Sequence, residues 1–285
     1  MTETPLLTVR DLRVTYPTDH GEFVAVRDVS FSLGRERLGI VGESGSGKST
    51  TGRAIMGLLP PAARIQATEL GLGSTDLRGL GPRDFRTIRG RRIAMVLQDP
   101  RYALNPSMTV GRQIAETHRM HLHSTRKAAR LAALDMLEAV QIRDPQRVYD
   151  LYPHEVSGGM GQRAMIAMML IADPEVLIAD EPTSALDVTV QLQILTILDD
   201  LVRSRGMGLI LISHNLHLVA SFCDRVLVMY AGRVVENCRA QELSEARHPY
   251  TRGLLAALPS LGHRRVELPQ LQRDPAWLTA DGIVP

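Results

Sequence analysis

The segment GIVGESGSGKST, residues 39–50, restricts the possible folds of this chain more than any other part of its sequence. An apolar run typical of a buried strand, RLGIVG, ends at a cluster of glycines and serines, and the following STTGRAIMGLL has helical character. A loop of the form G-x-x-x-x-G-K-[ST] between a strand and a helix directs successive backbone N–H groups towards one anion. The alternative is an ordinary glycine-serine turn. The flanking strand and helix favour a phosphate-binding loop in an α/β protein.

Each residue type in this loop suits a bound phosphate chain. Glycines allow positive φ and a close approach of the backbone to an anion, and the helix that we expect to begin near Lys48 adds partial positive charge at its N-terminus. Lys48 would reach the β- and γ-phosphates, and the Ser49 hydroxyl would ligate Mg²⁺. The residues expected to bind the nucleotide are Gly42, Glu43, Ser44, Gly45, Ser46, Gly47, Lys48, Ser49 and Thr50.

The composition is that of a globular protein. The 285 residues, 44% hydrophobic and 22% charged, suffice for one large domain or two small ones, and a net charge of +2 does not require a nucleic-acid partner. Two cysteines, Cys223 and Cys238, indicate a reducing compartment without a disulfide framework. The longest apolar runs, AMIAMMLIA and MGLILIS, are too short to cross a membrane, and the N-terminus lacks a signal-peptide pattern. We therefore expect contact with a membrane only through a partner.

Strands and helices alternate along the chain, which predicts an α/β core around buried parallel strands. The predicted strands include IAMVLQDP, EVLIADEP and GLILIS, the predicted helices include QRAMIAMMLIA and SALDVTVQLQILTILDDLVRS, and RVLVMYAGRVVE predicts a hairpin that turns at Ala231 and Gly232. Residues 107–155 are rich in helical spacing, with Ser124 expected as an N-cap. The tail from about residue 245 is interpreted as an appendage whose last ~20 residues are poorly ordered.

A second acidic site accompanies the phosphate loop. In VLIADEP, Asp180 closes a predicted strand and Glu181 follows it. Asp180 would hold Mg²⁺ through water, and Glu181 would polarise the water that attacks the γ-phosphate, because hydrolysis there needs an acid for the metal and another for the water. An exposed turn is the alternative for an isolated Asp-Glu pair. The phosphate loop in the same chain favours the hydrolytic interpretation.

Further motifs follow in a fixed order and carry a resemblance to a known family. Gln98 lies in LQDP, Ser157 in VSGGMGQ, Asp187 in SALD, and His214 after GLILIS. With the phosphate loop and the acidic pair, they resemble the ATP-binding cassette (ABC) ATPases over about residues 5–260. The resemblance implies a P-loop NTPase of the ABC ATPase fold, with a RecA-like α/β core, an antiparallel β subdomain and a helical subdomain at about 107–172. It places the nucleotide-binding domain at residues 5–245 and a short C-terminal extension at 246–285.

The resemblance also implies roles for individual residues, with ATP and Mg²⁺ as cofactors. Glu181 and His214 would be catalytic, and Ser49, Gln98 and Asp180 would hold the metal. The remaining nucleotide contacts would come from Tyr16, which would stack on adenine, and from Gln98, Ser157, Gly158, Gly159 and Asp187. Plainer alternatives are a strand aromatic for Tyr16 and a strand-end histidine for His214. Since the family's signature motif, here VSGGMGQ, would bind ATP held by the opposite subunit, the chain must dimerise to act.

Two stretches narrow the resemblance. RGRRIAMVLQDPRYALNPSMTVGRQIAE and HPYTRGLLAALP are similar to the dipeptide, oligopeptide and nickel importer ATPases. The implied partners are a second ATPase, expected to be a different chain, two permeases and, indirectly, an extracytoplasmic solute-binding protein, with no nucleic acid. The implied location is the cytoplasmic face of the plasma membrane, with residues 101–112 facing a permease. The chain departs from the family in Gly161, where arginine is usual, and in lacking the C-terminal cysteine cluster of several members.

Three functions compete at this point. The first is the motor of an importer that takes up a small peptide, a nickel chelate or a related solute. The second is a soluble ABC ATPase in a multi-enzyme complex such as a carbon–phosphorus lyase-type system. The third, an ABC protein of DNA repair or translation, is disfavoured because the chain lacks a long coiled-coil insertion, a second cassette and a basic stripe.

Overall fold

The computed structural model describes residues 4–184, 186–257 and 277. The chain divides into two compact units, one formed by Met1–Leu80 with Ile210–Pro285 and the other by Gly81–Leu209. No helix among the described residues is long and apolar enough to cross a membrane.

The first unit contains an antiparallel sheet at the N-terminus of the chain. Its strands are β1 (Leu7–Thr18), β2 (Gly21–Leu33), β4 (Arg64–Gln66), β5 (Glu69–Leu72) and β6 (Thr75–Asp76). They lie in the order β2-β1-β5-β6, and β4 also pairs with β1. Along β1, the apolar side chains of Leu7, Val9, Leu12 and Val14 are fully buried. The predicted alternation of LLTVRDLRVTY holds on either side of an irregularity between Val9 and Leu12, where Asp11 has positive φ, and the four side chains all face the core.

The rest of the first unit is built on parallel strands and helices. Its elements are β3 (Arg37–Val41), α1 (Lys48–Ile55), β9 (Gly208–Ser213, which begins at the unit border), α9 (Leu216–Phe222), β10 (Arg225–Tyr230), β11 (Arg233–Arg239) and α10 (Pro249–Ala257). Strands β11, β10, β3 and β9 are neighbours in that order. Strand β10 runs parallel to β3 and antiparallel to β11. The predicted hairpin is confirmed, with positive φ at Ala231 and Gly232.

The second unit combines two buried parallel strands with most of the helices. Its elements are α2 (Pro82–Ile88), β7 (Ile93–Val96), α3 (Pro100–Ala103), α4 (Val110–Leu122), α5 (Arg126–Ala139), α6 (Pro145–Asp150), α7 (Gly158–Leu170), β8 (Val176–Asp180) and α8 (Val188–Arg205). All residues of β7 and β8 are buried, and the strands pair in parallel from Ile93 opposite Val176. Strands covered on both faces are continuous apolar runs, as both sequences are apart from Asp180 at the end of β8.

Several predicted boundaries were wrong for local reasons. Thr125, not Ser124, caps α5, because its hydroxyl accepts the Ala128 N–H, whereas the Ser124 hydroxyl lies 2.7 Å from His118 Nδ1.

Two other predicted elements are shorter in the structure. Helix α8 begins at Val188, since the Asp187 carboxylate caps it, and the segment SALD therefore precedes the helix. The strand predicted at 93–100 ends at Val96, ahead of the cap that Asp99 supplies to α3. The predicted disorder of the last ~20 residues concerns positions that, Trp277 apart, lie outside the described residues.

Candidate nucleotide-binding site

The phosphate loop joins β3 to α1 and requires glycine for its own conformation. Gly42 and Gly47 have φ of +152° and +98°, in the range that side chains disfavour. A Cβ atom on Gly42 would lie 2.1 Å from the carbonyl oxygen of Met229, and one on Gly47 would lie 2.7 Å from that of Ala25. Both contacts are with backbone atoms, so a side chain at either position would displace a neighbouring strand.

Lys48 lies inside this loop. Its side chain is buried, and Nζ donates hydrogen bonds to the carbonyl oxygens of Gly42 at 2.8 Å and Glu43 at 2.7 Å. The hairpin turn supports the other side, where the Gly232 N–H donates to the Ser46 carbonyl oxygen at 3.1 Å. The loop therefore holds a buried ammonium at the N-terminus of a helix, an arrangement suited to an anion.

Other predicted site residues of the first unit lie around the loop or on the β1–β2 hairpin. Residues lining one cavity of about 450 Å³ are Val41, Gly42, Glu43, Ser44, His214, Leu216 and Leu254. His214 is exposed just beyond β9, and Ser49 and Thr50 are half-buried in the first turn of α1. Tyr16 is half-buried on β1 and pairs in register with Phe23, which is 55% exposed. These two aromatic rings are available to a planar ligand.

The acidic pair lies at the carboxyl end of β8 in the second unit. Asp180, the last residue of the strand, is only 4% exposed. Glu181 has φ of +49°, a left-handed conformation that is uncommon outside glycine. The Ser184 hydroxyl donates to the Glu181 carbonyl oxygen at 3.3 Å and keeps the turn in place. Backbone conformations of this kind concentrate at functional sites, where the surrounding structure holds them.

The signature segment, residues 156–162, begins helix α7 in the same unit. Ser157 caps the helix, and its hydroxyl accepts the Met160 N–H at 3.3 Å. A Cβ atom on the exposed Gly158 would meet only Leu186 Cδ2, at 4.0 Å, whereas one on Gly159 would lie 3.0 Å from Val190 Cγ1. Nothing in the described part of this chain therefore requires glycine at position 158.

An open cavity of about 510 Å³ lies between the signature segment and the segment LQDP, which contains Gln98. Gln98, Ser157 and Gly158 all line it, together with Pro100, Leu104 and other residues of the second unit. On its rim, a hydrogen bond from the Arg101 guanidinium to Asp99 lowers the pKa of that carboxyl. The cavity is thus mainly apolar, with an ion pair at its edge. Asp187, the remaining predicted site residue, is exposed and caps α8.

Sequence reasoning gave no role to two residues that the structure places at these sites. Gln162 is buried, and its side-chain N–H donates to the carbonyl oxygen of Pro182 at 2.6 Å, joining the signature helix to the turn after Glu181. Tyr250 is also buried, and its hydroxyl accepts the Glu43 N–H at 3.1 Å. For Tyr250 the available signal was the HPYT motif, residues 248–251, which the sequence analysis used only to narrow the family.

A buried lysine in a glycine loop at a helix N-terminus, with an acidic pair ending another strand, defines a P-loop α/β ATPase. The sequence matches the ABC transporter family model over residues 26–184. The chain belongs to the ABC transporter family and is an ATPase of that family. The predicted class, fold and enzymatic activity are confirmed.

Similar proteins and structures agree with this assignment. The chain is 47% identical to the oligopeptide transport ATP-binding protein OppD of Bacillus subtilis, over 90% of this chain and 73% of that protein. It is 46% identical to the dipeptide transport ATP-binding protein DppD of the same organism, over 95% and 82%. A dimeric structure of the bacterial ABC transporter cassette MJ0796 matches with a TM-score of 0.73 and 25% identity, covering 82% of this chain and 99% of that one.

Proposed function

We propose that this chain is the ATP-hydrolysing motor subunit of an ABC importer for oligopeptides or dipeptides. The observation that carries the proposal is the 46–47% identity to peptide transport ATP-binding proteins over at least 90% of the chain. That similarity extends far beyond the ATPase motifs and includes the HPYT helix. Nickel chelates remain a second solute class, since the sequence resemblance also included nickel importers.

The phosphate loop is proposed to hold the triphosphate of ATP. Lys48 Nζ bonds two loop carbonyl oxygens and would exchange them for phosphate oxygens. The donors proposed for Mg²⁺, the Ser49 hydroxyl, the Gln98 amide oxygen and the Asp180 carboxylate, are the oxygen ligands that this ion prefers. Bound there, Mg²⁺ would neutralise charge on the phosphates. Tyr16 would stack on the adenine.

Hydrolysis is proposed to depend on Glu181 and His214. Glu181 follows the strand that ends in Asp180, so the buried acid serves the metal and the more accessible acid serves the attacking water. The Glu181 carboxylate would accept a proton from that water, and His214 would donate a hydrogen bond to the γ-phosphate. The cavity that His214 shares with the phosphate loop supports its part.

The signature segment is proposed to bind ATP held by a second cassette. Ser157, Gly158 and Gly159 form an exposed helix N-terminus, which favours an anion, and nothing nearby in the described chain fills the space at Gly158. Asp187 would join them from the start of α8. We propose that the second cassette is a different chain and that ATP draws the two together.

The partners and location follow from this proposal. This ATPase would bind two permeases at the cytoplasmic face of the plasma membrane, and an extracytoplasmic binding protein would deliver the solute to the permeases. The mainly apolar cavity beside Gln98, which Arg101, Leu104 and Pro106 help to line, is part of the proposed surface for a permease, together with the rest of residues 101–112. The competing function is a soluble ATPase in a multi-enzyme complex of the carbon–phosphorus lyase type.

An affinity purification from native membranes tests the proposal. Tagged Glu181→Gln protein is recovered in mild detergent with ATP and Mg²⁺, and the associated proteins are identified by mass spectrometry. The matched control carries Lys48→Ala as well and should bind ATP more weakly. We expect two permeases and a second, different ATPase in the first sample. Recovery of soluble enzymes alone would contradict the importer and favour the competing function.

A further inference from the structure

The HPYT motif is the one motif singled out in the sequence that the proposed mechanism does not use. It begins helix α10, and its Tyr250 and Thr251 side chains are fully buried. The His248 N–H donates to Glu236 Oε2 on β11 at 2.9 Å, and His248 Nδ1 accepts the Tyr250 N–H at 3.2 Å. The motif is therefore held firmly at the start of its helix, against the edge strand β11.

Tyr250 connects this motif to the phosphate loop. Its hydroxyl accepts the backbone N–H of Glu43 at 3.1 Å, across 207 positions of sequence. Glu43 is the second residue of the loop, and its carbonyl oxygen and that of Gly42 are the two acceptors of Lys48 Nζ. The Tyr250 hydroxyl therefore fixes the peptide unit between Gly42 and Glu43, which also holds the loop lysine.

The same side chain belongs to an aromatic cluster. The ring centroid of Tyr250 lies 4.4 Å from that of Tyr230 and 6.3 Å from that of Trp277, and His248 lies 6.0 Å from Trp277. Trp277 is the only tryptophan of the chain. Leu254, one turn further along α10, lines the cavity that contains Glu43 and His214. A displacement of the phosphate loop would thus change the surroundings of the Trp277 side chain.

We propose that Tyr250 is a positioning residue for nucleotide binding. Its hydroxyl keeps the first peptide units of the phosphate loop in place, so that Lys48 and the loop N–H groups meet the phosphates without further ordering. The C-terminal helix thereby becomes part of the nucleotide site, and phosphate binding is transmitted to the aromatic cluster. This inference rests on the proposed ATP-binding role of the loop.

The test compares two substitutions that each remove one phenolic oxygen from the same cluster. Tyr250→Phe loses the bond to Glu43, whereas Tyr230→Phe leaves it intact. In the full-length chain we expect Tyr250→Phe to raise the dissociation constant of Mg-ATP by roughly fivefold to tenfold, the effect of one hydrogen bond. We expect Tyr230→Phe to match the wild type within about twofold. Calorimetric titration well below the thermal midpoint of each variant gives these constants.

Trp277 fluorescence separates positioning from a purely structural role. We expect ATP and pyrophosphate to change the emission of the wild type, and adenosine to leave it unchanged. In Tyr250→Phe the midpoint of the ATP titration should move by the same factor as the calorimetric constant. A lower thermal midpoint with unchanged ATP affinity, or an equal loss of affinity in Tyr230→Phe, would overturn the inference.

The remaining outcomes are also decisive. If Tyr250→Phe does not fold, the test uses the wild type alone. ATP binding seen by calorimetry without any change in Trp277 emission would then contradict the proposal that phosphate binding is transmitted to the aromatic cluster. If the wild type binds no ATP, the proposed function itself fails. If it binds ATP and Tyr250→Phe binds it equally well, only the role of Tyr250 is wrong.

Discussion

The phosphate loop and the signature segment both place glycines at the N-terminus of a helix, but for different reasons. In the phosphate loop, Gly42 has positive φ and leaves no room for a Cβ atom beside the Met229 backbone. In the signature segment, Gly158 begins an ordinary helix, and its nearest neighbour is 4.0 Å from the position of a Cβ atom. The first glycine is required by the chain itself, whereas the second is not.

The surroundings of the two segments differ in the same way. The phosphate loop has a buried lysine, backbone support from the hairpin turn and a hydroxyl from α10, all within one chain. The signature segment offers an exposed helix N-terminus whose unfilled space serves no internal packing. A glycine that the packing of its own chain does not require is expected where a ligand or another chain approaches the backbone closely. This difference fits the proposal that each segment supplies one half of a nucleotide site and that a second cassette supplies the other half.

The largest effect is expected from a variant that changes neither segment. Glu181→Gln should lower ATP hydrolysis by about a hundredfold or more, because it removes the proposed proton acceptor, and should leave ATP affinity unchanged. Phosphate release and calorimetric titration measure the two quantities. The control is Glu175→Gln, which lies just before the same strand and pairs with Arg92. Normal turnover of Glu181→Gln would show that Glu181 is not the proton acceptor, and another group would have to activate the attacking water.

The next effect tests the phosphate loop directly. Gly42→Ala should lower the free energy of unfolding by about 3 kcal/mol, through backbone strain and a clash with the Met229 carbonyl oxygen. Gly158→Ala, the equivalent change in the signature segment, should alter it by less than about 1 kcal/mol. Urea denaturation of both variants measures these values. Equal destabilisation by the two substitutions would show that the chain itself requires glycine at both positions, or at neither.

The smallest effect concerns the unusual Gly161 of the signature helix. Gly161→Ala should stabilise the protein by about 1 kcal/mol, because alanine is the better helix former. The added Cβ atom would lie 3.6 Å from Pro100, an ordinary contact, and the Gly161 N–H already bonds to the Ser157 carbonyl oxygen. The thermal midpoint should rise by about 2 °C. A lower midpoint would mean that the helix start tolerates no side chain here.

Features that depend on neighbouring residues were predictable from sequence. The phosphate loop, the strands before it and the hairpin at Ala231 and Gly232 follow from local patterns of apolar residues and glycine. Where two neighbouring residues could each cap a helix, the sequence did not decide between them. Ser124 and Thr125 are both acceptable N-caps, and the choice fell to Thr125 because His118 contacts the other hydroxyl.

Contacts between distant residues were not predictable in this way. The bond between Tyr250 and Glu43 joins positions 207 residues apart, and no periodicity relates them. The burial of Gln162 and its bond to Pro182 likewise depend on how α7 packs in its unit. The sequence of the tail from about residue 245, which contains proline and arginine, predicts only an appendage. In the fold, the start of its helix lies against the phosphate loop.

The most direct test of two separate anion sites is the affinity of the isolated chain for ATP, measured by calorimetry in two variants. Lys48→Ala removes the loop ammonium. Gly158→Asp adds a negative charge at the first position of α7, where an acidic residue suits the helix dipole and should not impair folding. We expect Lys48→Ala to weaken ATP binding at least about tenfold and Gly158→Asp to bind like the wild type, although its assembled complex should not hydrolyse ATP. Equal loss of affinity in both variants would contradict the account.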